Sequence, residues 1–238
     1  LHTEQLSSWN RKAIRKNAAV CTLLLLIASF PAPFAGGYPV GSETGTLSIY
    51  FMQEQVGYEE YSWEEEDMGY TLTVKGRMTE PIAIEVERLV IRLDKSFIPI
   101  SYFFKGRVGG VVQDIRSVFL NGKVKTTKQV ADQERTDTAE IKRDAVLLPN
   151  PIFSPYMVLT KKYLCGLQES TAISAYIIPQ MEVSATLQPK QDSPCQFVLL
   201  LGPTEIEISS DEEGILNGLD ISAQSIKVVR TKGEAPTR

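Results

Sequence analysis

The chain has 238 residues, 25 Lys and Arg against 29 Asp and Glu, a formal net charge of −4, and one histidine, His2. Such an acidic balance, with no basic stripe, excludes the phosphate attraction from which nucleic-acid binders draw most of their affinity, and it argues against adhesion to anionic membrane surfaces.

Four cations, Arg11, Lys12, Arg15 and Lys16, precede an uncharged run over 18–30, which Pro31 and Pro33 break and which Ala35, Gly36 and Gly37 follow. A cationic start, an apolar core and small residues at its end make the secretory plan; the core of about a dozen residues fits a signal peptide and falls short of the ~20 that cross a bilayer as a helix. Residues 1–35 are therefore expected to be a signal peptide cut after Ala35, where the small-x-small pattern is met if Pro33 is accepted, with an uncleaved N-terminal anchor as the competing reading. Only through that uncleaved segment would the protein touch a membrane. Cys21 opens the apolar run, whereas a lipoprotein's modified cysteine closes it. The expected location is the bacterial periplasm or the exterior.

Cleavage removes His2, four of the basic residues and Glu4, leaving 21 basic against 28 acidic, or about −7. It also leaves two cysteines, Cys165 and Cys195, which in an oxidising compartment are expected to form a disulfide; two buried thiols are the alternative.

From "GGYPVGSETG" onward, residues 36–231 read as one domain of period-2 alternation. Leu47, Ile49 and Phe51 alternate with Thr46 and Ser48. In "YTLTVKGRM", Tyr70, Leu72, Val74 and Met78 oppose Thr71, Thr73, Lys75 and Arg77. Met181, Val183, Ala185 and Leu187 oppose Glu182, Ser184 and Thr186, and Ile206 and Ile208 oppose Glu205 and Glu207. One dry and one wet face per strand is the mark of antiparallel sheet. In "PIAIEVERLVIRLD" the apolar parity switches from Ile82, Ile84 and Val86 to Leu89, Ile91 and Leu93, which predicts a bulge at Glu87 and Arg88 that bends the strand.

Turn chemistry places hairpins at Asn121-Gly122, at Gly69 and at Gly214, and Gly109-Gly110 marks either a tight bend or a turn between strands. "QVADQERTDTAEIKR" (129–143) is polar and weakly patterned, a mobile loop or frayed strand pair. "SPYMVLTKKYLCG" predicts a single helix, with Ser154 as N-cap, Pro155 at its first turn, Lys161 and Lys162 in the later turns and Gly166 at its end. Tyr156, Leu159 and Tyr163 share a stripe, beside Met157 and Leu164, that needs an apolar partner. The fold class is thus mostly β: a large curved antiparallel sheet, half-barrel or open barrel, with one short helix on its apolar face. Residues 232–238, "KGEAPTR", are a disordered tail.

The mature chain has no histidine, which excludes Ser-His-Asp and Cys-His nucleophiles and histidine metal sites. No GxSxG, P-loop or GxGxxG is present. No catalytic residue, cofactor or metal ligand is assigned. Acidic strand residues such as Glu85, Glu87, Glu182 and Glu207 fall on wet faces. The cluster "YEEYSWEEEDMG", with Glu59, Glu60, Glu64, Glu65, Glu66 and Asp67, lacks calcium-loop spacing and reads as a charged hairpin end. Asp114 and Arg116 suit a structural ion pair on a strand that is apolar on both sides, which places it under the helix or deep in a barrel.

"LDKSFIPISYFFKGRVGGVVQDIRSVFLNGKV" and "TEIEISSDEEGILNGLDISAQSIKVVR" resemble uncharacterised bacterial exported proteins built from long antiparallel strands. In shape the chain is also similar to the LolA-type lipoprotein-carrier half-barrels, in which a curved sheet shelters acyl chains beneath a helix; that resemblance implies an architecture. Three functions stay open. The first is a non-enzymatic envelope protein binding or carrying a lipid or other apolar ligand, with Phe97, Tyr102, Phe104, Tyr156, Leu159 and Tyr163 lining the concavity. The second is a structural or protein-interaction module of the envelope with a filled core, using an edge strand or the acidic hairpin. The third is a carboxylate-based enzyme on envelope polysaccharide, which needs two carboxylates about 5–10 Å apart in a cleft.

Overall fold

Two antiparallel meanders share one sheet in a computed structural model that describes residues 42–231 apart from 132, 164 and 192. The expected signal peptide with its Ala35 cut, His2, Cys21, Leu164 and the 232–238 tail lie outside the described residues. In the first meander β1 (Ser42–Phe51), β2 (Glu54–Glu66), β3 (Gly69–Met78), β4 (Ile84–Asp94), β5 (Pro99–Val108), β6 (Val111–Leu120), β7 (Lys123–Val130) and β8 (Gln133–Glu140) pair in sequence order. The chain then runs through β9 (Val146–Leu147), a 3-10 turn (Ser154–Tyr156) and helix α1 (Met157–Tyr163). The second meander is β10 (Thr171–Ile177), β11 (Met181–Lys190), β12 (Ser193–Leu201), β13 (Thr204–Ser210), β14 (Leu216–Ile221) and β15 (Ile226–Thr231). Because β15 pairs with β1, the order runs from β8 down to β1, then from β15 down to β9, in a curved 15-stranded sheet that does not close. Every pairing is antiparallel except Val146–Leu147, which runs parallel to Ala175 and Tyr176 on β10.

The alternation read from the sequence sets the dry face. Leu47 and Ile49, Leu72, Val74 and Met78, Leu89, Ile91 and Leu93, and Ile206 and Ile208 are all buried. The predicted bulge is present: Val86 faces Gly106 while Arg88 faces Lys105, so Glu87 is the extra residue and both halves of β4 keep their apolar side inward. Ile82 departs from the expected pattern; it precedes β4 and is 48% exposed. Met181 is also exposed, because it sits at the turn end of β11 beyond the covered stretch. Asn121 and Gly122 take φ of 51° and 74° between Leu120 and Lys123, the left-handed pair that a two-residue hairpin requires.

Residues 129–143 are more regular than their sequence suggests. Val130 and Gln133 close a two-residue turn, and eight consecutive pairs run from there to Lys123 and Glu140. Of the two expectations the strand pair stands, with full pairing and no fraying, and the mobile loop does not; the ladder is built from main-chain bonds, which need no apolar pattern.

The ends of the sheet approach each other. Phe119 on β6 meets the Tyr176 ring on β10 edge-on at 6.2 Å, Lys128 Nζ on β7 donates to the carbonyl of Pro179 at 3.2 Å, and the N–H of Lys142 donates to Glu182 Oε2 at 3.0 Å. As a result β10 is covered on both faces, with Ile173 and Ala175 buried on one and Ser174 and Tyr176 on the other. Glu182 is accordingly half-buried, not on a wet face, and also accepts the Ser174 hydroxyl.

Candidate functional site

The interior of the curve is where an apolar ligand was expected, and the chain itself lies there. Between 145 and 160 all residues are buried save Asn150 and Pro151. Ala145, Leu147, Leu148, Met157, Val158 and Leu159 are at most 1% exposed. Burying a side chain of this size from all sides contributes roughly 1.5–3 kcal/mol over leaving it in water. Tyr102, Phe104, Tyr156 and Leu159 belong to this same continuous core, at 3%, 2%, 8% and 0% exposure. Phe97 and Tyr163 pack half-buried at its margin. The helix is therefore buried all round over its first turn, Met157–Thr160, where the sequence indicated a single stripe.

The segment is latched at its start by Glu59, which the sequence grouped with a solvated acidic hairpin end. The residue is 3% exposed on β2, one step along the inward face from Tyr61 and Trp63. Its carboxylate accepts the N–H of Phe153 at 2.8 Å, the N–H of Ser154 at 2.6 Å and the Ser154 hydroxyl at 2.5 Å. Ser154 thus donates its hydroxyl to Glu59 and is not the N-cap; the cap position is Phe153, without a side-chain bond. The orphan N–H groups at the beginning of a helical segment need acceptors, and Glu59 supplies both oxygens. Burial pushes its carboxyl above the ordinary value of 4.5, with the three donors acting against that shift. Its parity with Tyr61 and Trp63 is the signal in the sequence that would have found it.

At the other end of α1 the curved sheet carries a half-buried ionic cluster, which marks its mouth. Arg230 on β15 donates to Asp211 Oδ2 at 2.9 Å and to Glu43 Oε1 at 3.2 Å. Lys161 stands 3.5 Å from Glu43 Oε2 and donates to the Glu213 carbonyl at 2.9 Å. Thr160 donates to the Gly214 carbonyl at 2.7 Å. Cys165 and Cys195, 30 residues apart, sit at disulfide distance just beyond the helix, with Cα atoms 4.2 Å apart. Tyr61 reaches toward this cluster under Gly45, where any β-carbon would fall 2.4 Å from the tyrosine oxygen. Its hydroxyl is buried without a partner, and burial pushes it up to about 12, Arg230 opposing. Beside it the rings of Tyr70 and Phe97 stack at 4.7 Å, with Trp63 5.4 Å from Tyr70.

Outside the curve, Asp114 and Arg116 form the expected ion pair, with Arg116 Nε 3.0 Å and Nη2 3.1 Å from the two carboxylate oxygens. The strand is not covered by the helix or sunk in a barrel, however: Val112, Val118 and Leu120 on the same face are 50%, 59% and 70% exposed. Its inward face carries Ile115 and Ser117 instead, Ser117 bonded to Thr126 at 2.8 Å. Surface depressions of about 310 Å³ and 810 Å³ lie over β12–β15 and over the β1–β2 turn, and one of about 170 Å³ lies at the β6–β7 turn. None of the six residues expected to line a ligand borders these three. Glu207 and Asp220 stand opposite each other in the first of them, with Lys190 2.7 Å from Glu207. Among the described residues no group of three or more His, Cys, Asp and Glu is arranged to hold a metal ion.

No family model matches the chain, and no curated protein does. Among solved structures it is similar to a crystal structure of a DUF1089 family protein from Pseudomonas aeruginosa, at 12% identity and a TM-score of 0.42, over 81% of this chain and 96% of that one.

Proposed function

We propose that this chain is an exported, non-enzymatic interaction module of the bacterial envelope, working through the outside and the edge of its sheet around a filled core. One observation carries the reading: residues 145–160 occupy the concavity and are held there by Glu59, Thr160 and Lys161. A cavity stocked with its own side chains leaves an apolar ligand to compete against an intramolecular occupant present at high effective concentration. The export half of the reading rests on the cationic and apolar order of residues 1–35, and the oxidising compartment it implies agrees with the paired cysteines.

A carrier of a lipid or other apolar ligand, in the manner of the LolA-type half-barrels, is the second reading. The half-buried stack of Tyr70 and Phe97 at the mouth favours it, since partly exposed rings beside an apolar interior suit an acyl chain.

Native mass spectrometry of the full chain exported to a bacterial periplasm, with a denatured unreduced spectrum of the same sample, separates the two. The module reading expects an unliganded native mass. One or more acyl-lipid masses above the denatured value would overturn it in favour of the carrier. The denatured mass also shows whether the chain is cut after Ala35.

A further inference from the structure

The two ends of the sheet differ. β9 is two buried residues, whereas β8 offers eight residues, Gln133–Glu140, of which only Asp137 is half-buried, and among the described residues no strand pairs with its outer edge. The register of the two-residue turn fixes which main-chain groups look outward. Val130 and Gln133 close the turn and bond each other, so Gln133, Arg135, Asp137 and Ala139 direct their N–H and C=O groups to β7. Glu134, Thr136 and Thr138 direct theirs away from the sheet.

An antiparallel copy of β8 must set outward groups against outward groups, which allows only registers centred on a residue. Centred on Arg135, the pairing sets arginine against arginine. Centred on Asp137, it sets aspartate against aspartate and Glu134 against Glu140. Centred on Thr136, it sets Arg135 against Asp137 of the other copy on both sides of the axis, Glu134 against Thr138, and nowhere brings like charges together. Opposite charges directly across a strand pair stabilise it and like charges oppose it.

We propose that β8 is a self-complementary edge through which two copies of this chain join their sheets about a twofold axis at Thr136. This deepens, and rests on, the reading of the chain as an interaction module. Charged residues ordinarily protect an edge from association; here centring on Thr136 opposes unlike charges and pairs 133–139, whereas centring on Thr138 also avoids like charges but pairs only 136–140 and sets no opposite charges across. Arg135 Nε already lies 2.9 Å from Asp137 Oδ1 of its own strand, with Lys128 4.0 Å from Oδ2, so the charges are poised on the side of the strand that the second copy's Arg135 would meet. Such an interface is isologous and small, and association is concentration-dependent.

Sedimentation equilibrium of the protein exported from the full chain tests this. A monomer–dimer equilibrium is expected, which Arg135→Asp or Asp137→Arg weakens by about tenfold and which the two substitutions together restore, because the opposed charges are then exchanged and not lost. A monomer at every concentration, or a dimer indifferent to both single reversals, overturns the proposal. Its failure is separable from that of the module reading: the latter falls on bound acyl lipid in the native mass, whatever the state of association.

Discussion

Residues 145–160 and the β7–β8 hairpin are neighbours in the chain and opposites in physics. The first has almost no regular pairing, two residues of strand and a short helix, yet is nearly all buried. The second is a regular eight-pair ladder with almost nothing buried on β8. One region is held by the water it excludes and the other by the main-chain bonds it closes, so regularity and contribution to stability are independent here.

The contrast can be broken from the buried side first. Leu159→Ala, at a site with no exposure, is expected to lower unfolding free energy by about 3–5 kcal/mol in urea denaturation, the upper range for a leucine that leaves a cavity. Replacing Cys165 and Cys195 together by serine, read in the same experiment, should cost roughly 3–4 kcal/mol, as expected for a closed loop of that length in the chain-entropy account. Glu59→Ala leaves the Phe153 and Ser154 donors without an acceptor and is expected to cost about 2–3 kcal/mol.

The sign of the Glu59 pH dependence sharpens that case. Since the fold holds this carboxyl above its ordinary value, ionising it is harder in the folded chain than in the unfolded one. Its contribution is therefore full below pH 4.5 and declines as pH rises from there through the folded value. Glu59→Gln should remove that decline from a stability-against-pH profile; an unchanged slope would deny the carboxyl its role. At the mouth, Arg230→Met strips the cation from Glu43 and Asp211, and a loss of about 1 kcal/mol in thermal unfolding is expected for a pair that water partly screens. Thr138→Ala on β8 should change stability by less than about 0.5 kcal/mol, which separates the exposed ladder from the buried segment.

Most strands were legible because antiparallel sheet writes its two faces into alternate residues, and the bulge at Glu87 was legible for the same reason, as a slip in that alternation. The helix was legible from Pro155 and its stripe, but not the burial of its first turn, Met157–Thr160, on all sides, since Thr160 and the lysines that follow disguise it. Glu59 was hidden by composition: five other acidic residues surround it in sequence, and only the inward parity of Tyr61 and Trp63 distinguishes it. Arg230, Glu43 and Lys161 come from β15, β1 and α1 and Asp211 from the loop after β13, and no local spacing brings them together. The hairpin of β7 and β8 was legible only as one of two alternatives, a strand pair or a mobile loop, because its cohesion lies in the backbone, which every residue carries alike.

The pairing of β1 with β15 joins Thr46 to Thr231 and Phe51 to Ile226 in the middle of the sheet. As the chain emerges from a ribosome, the first meander must wait, its inner edge unmatched, until β15 has cleared the exit. The sheet is then sewn shut at its centre, not at its rim. Contacts of such long sequence separation form slowly, so the first meander keeps an open inner edge until the second is complete.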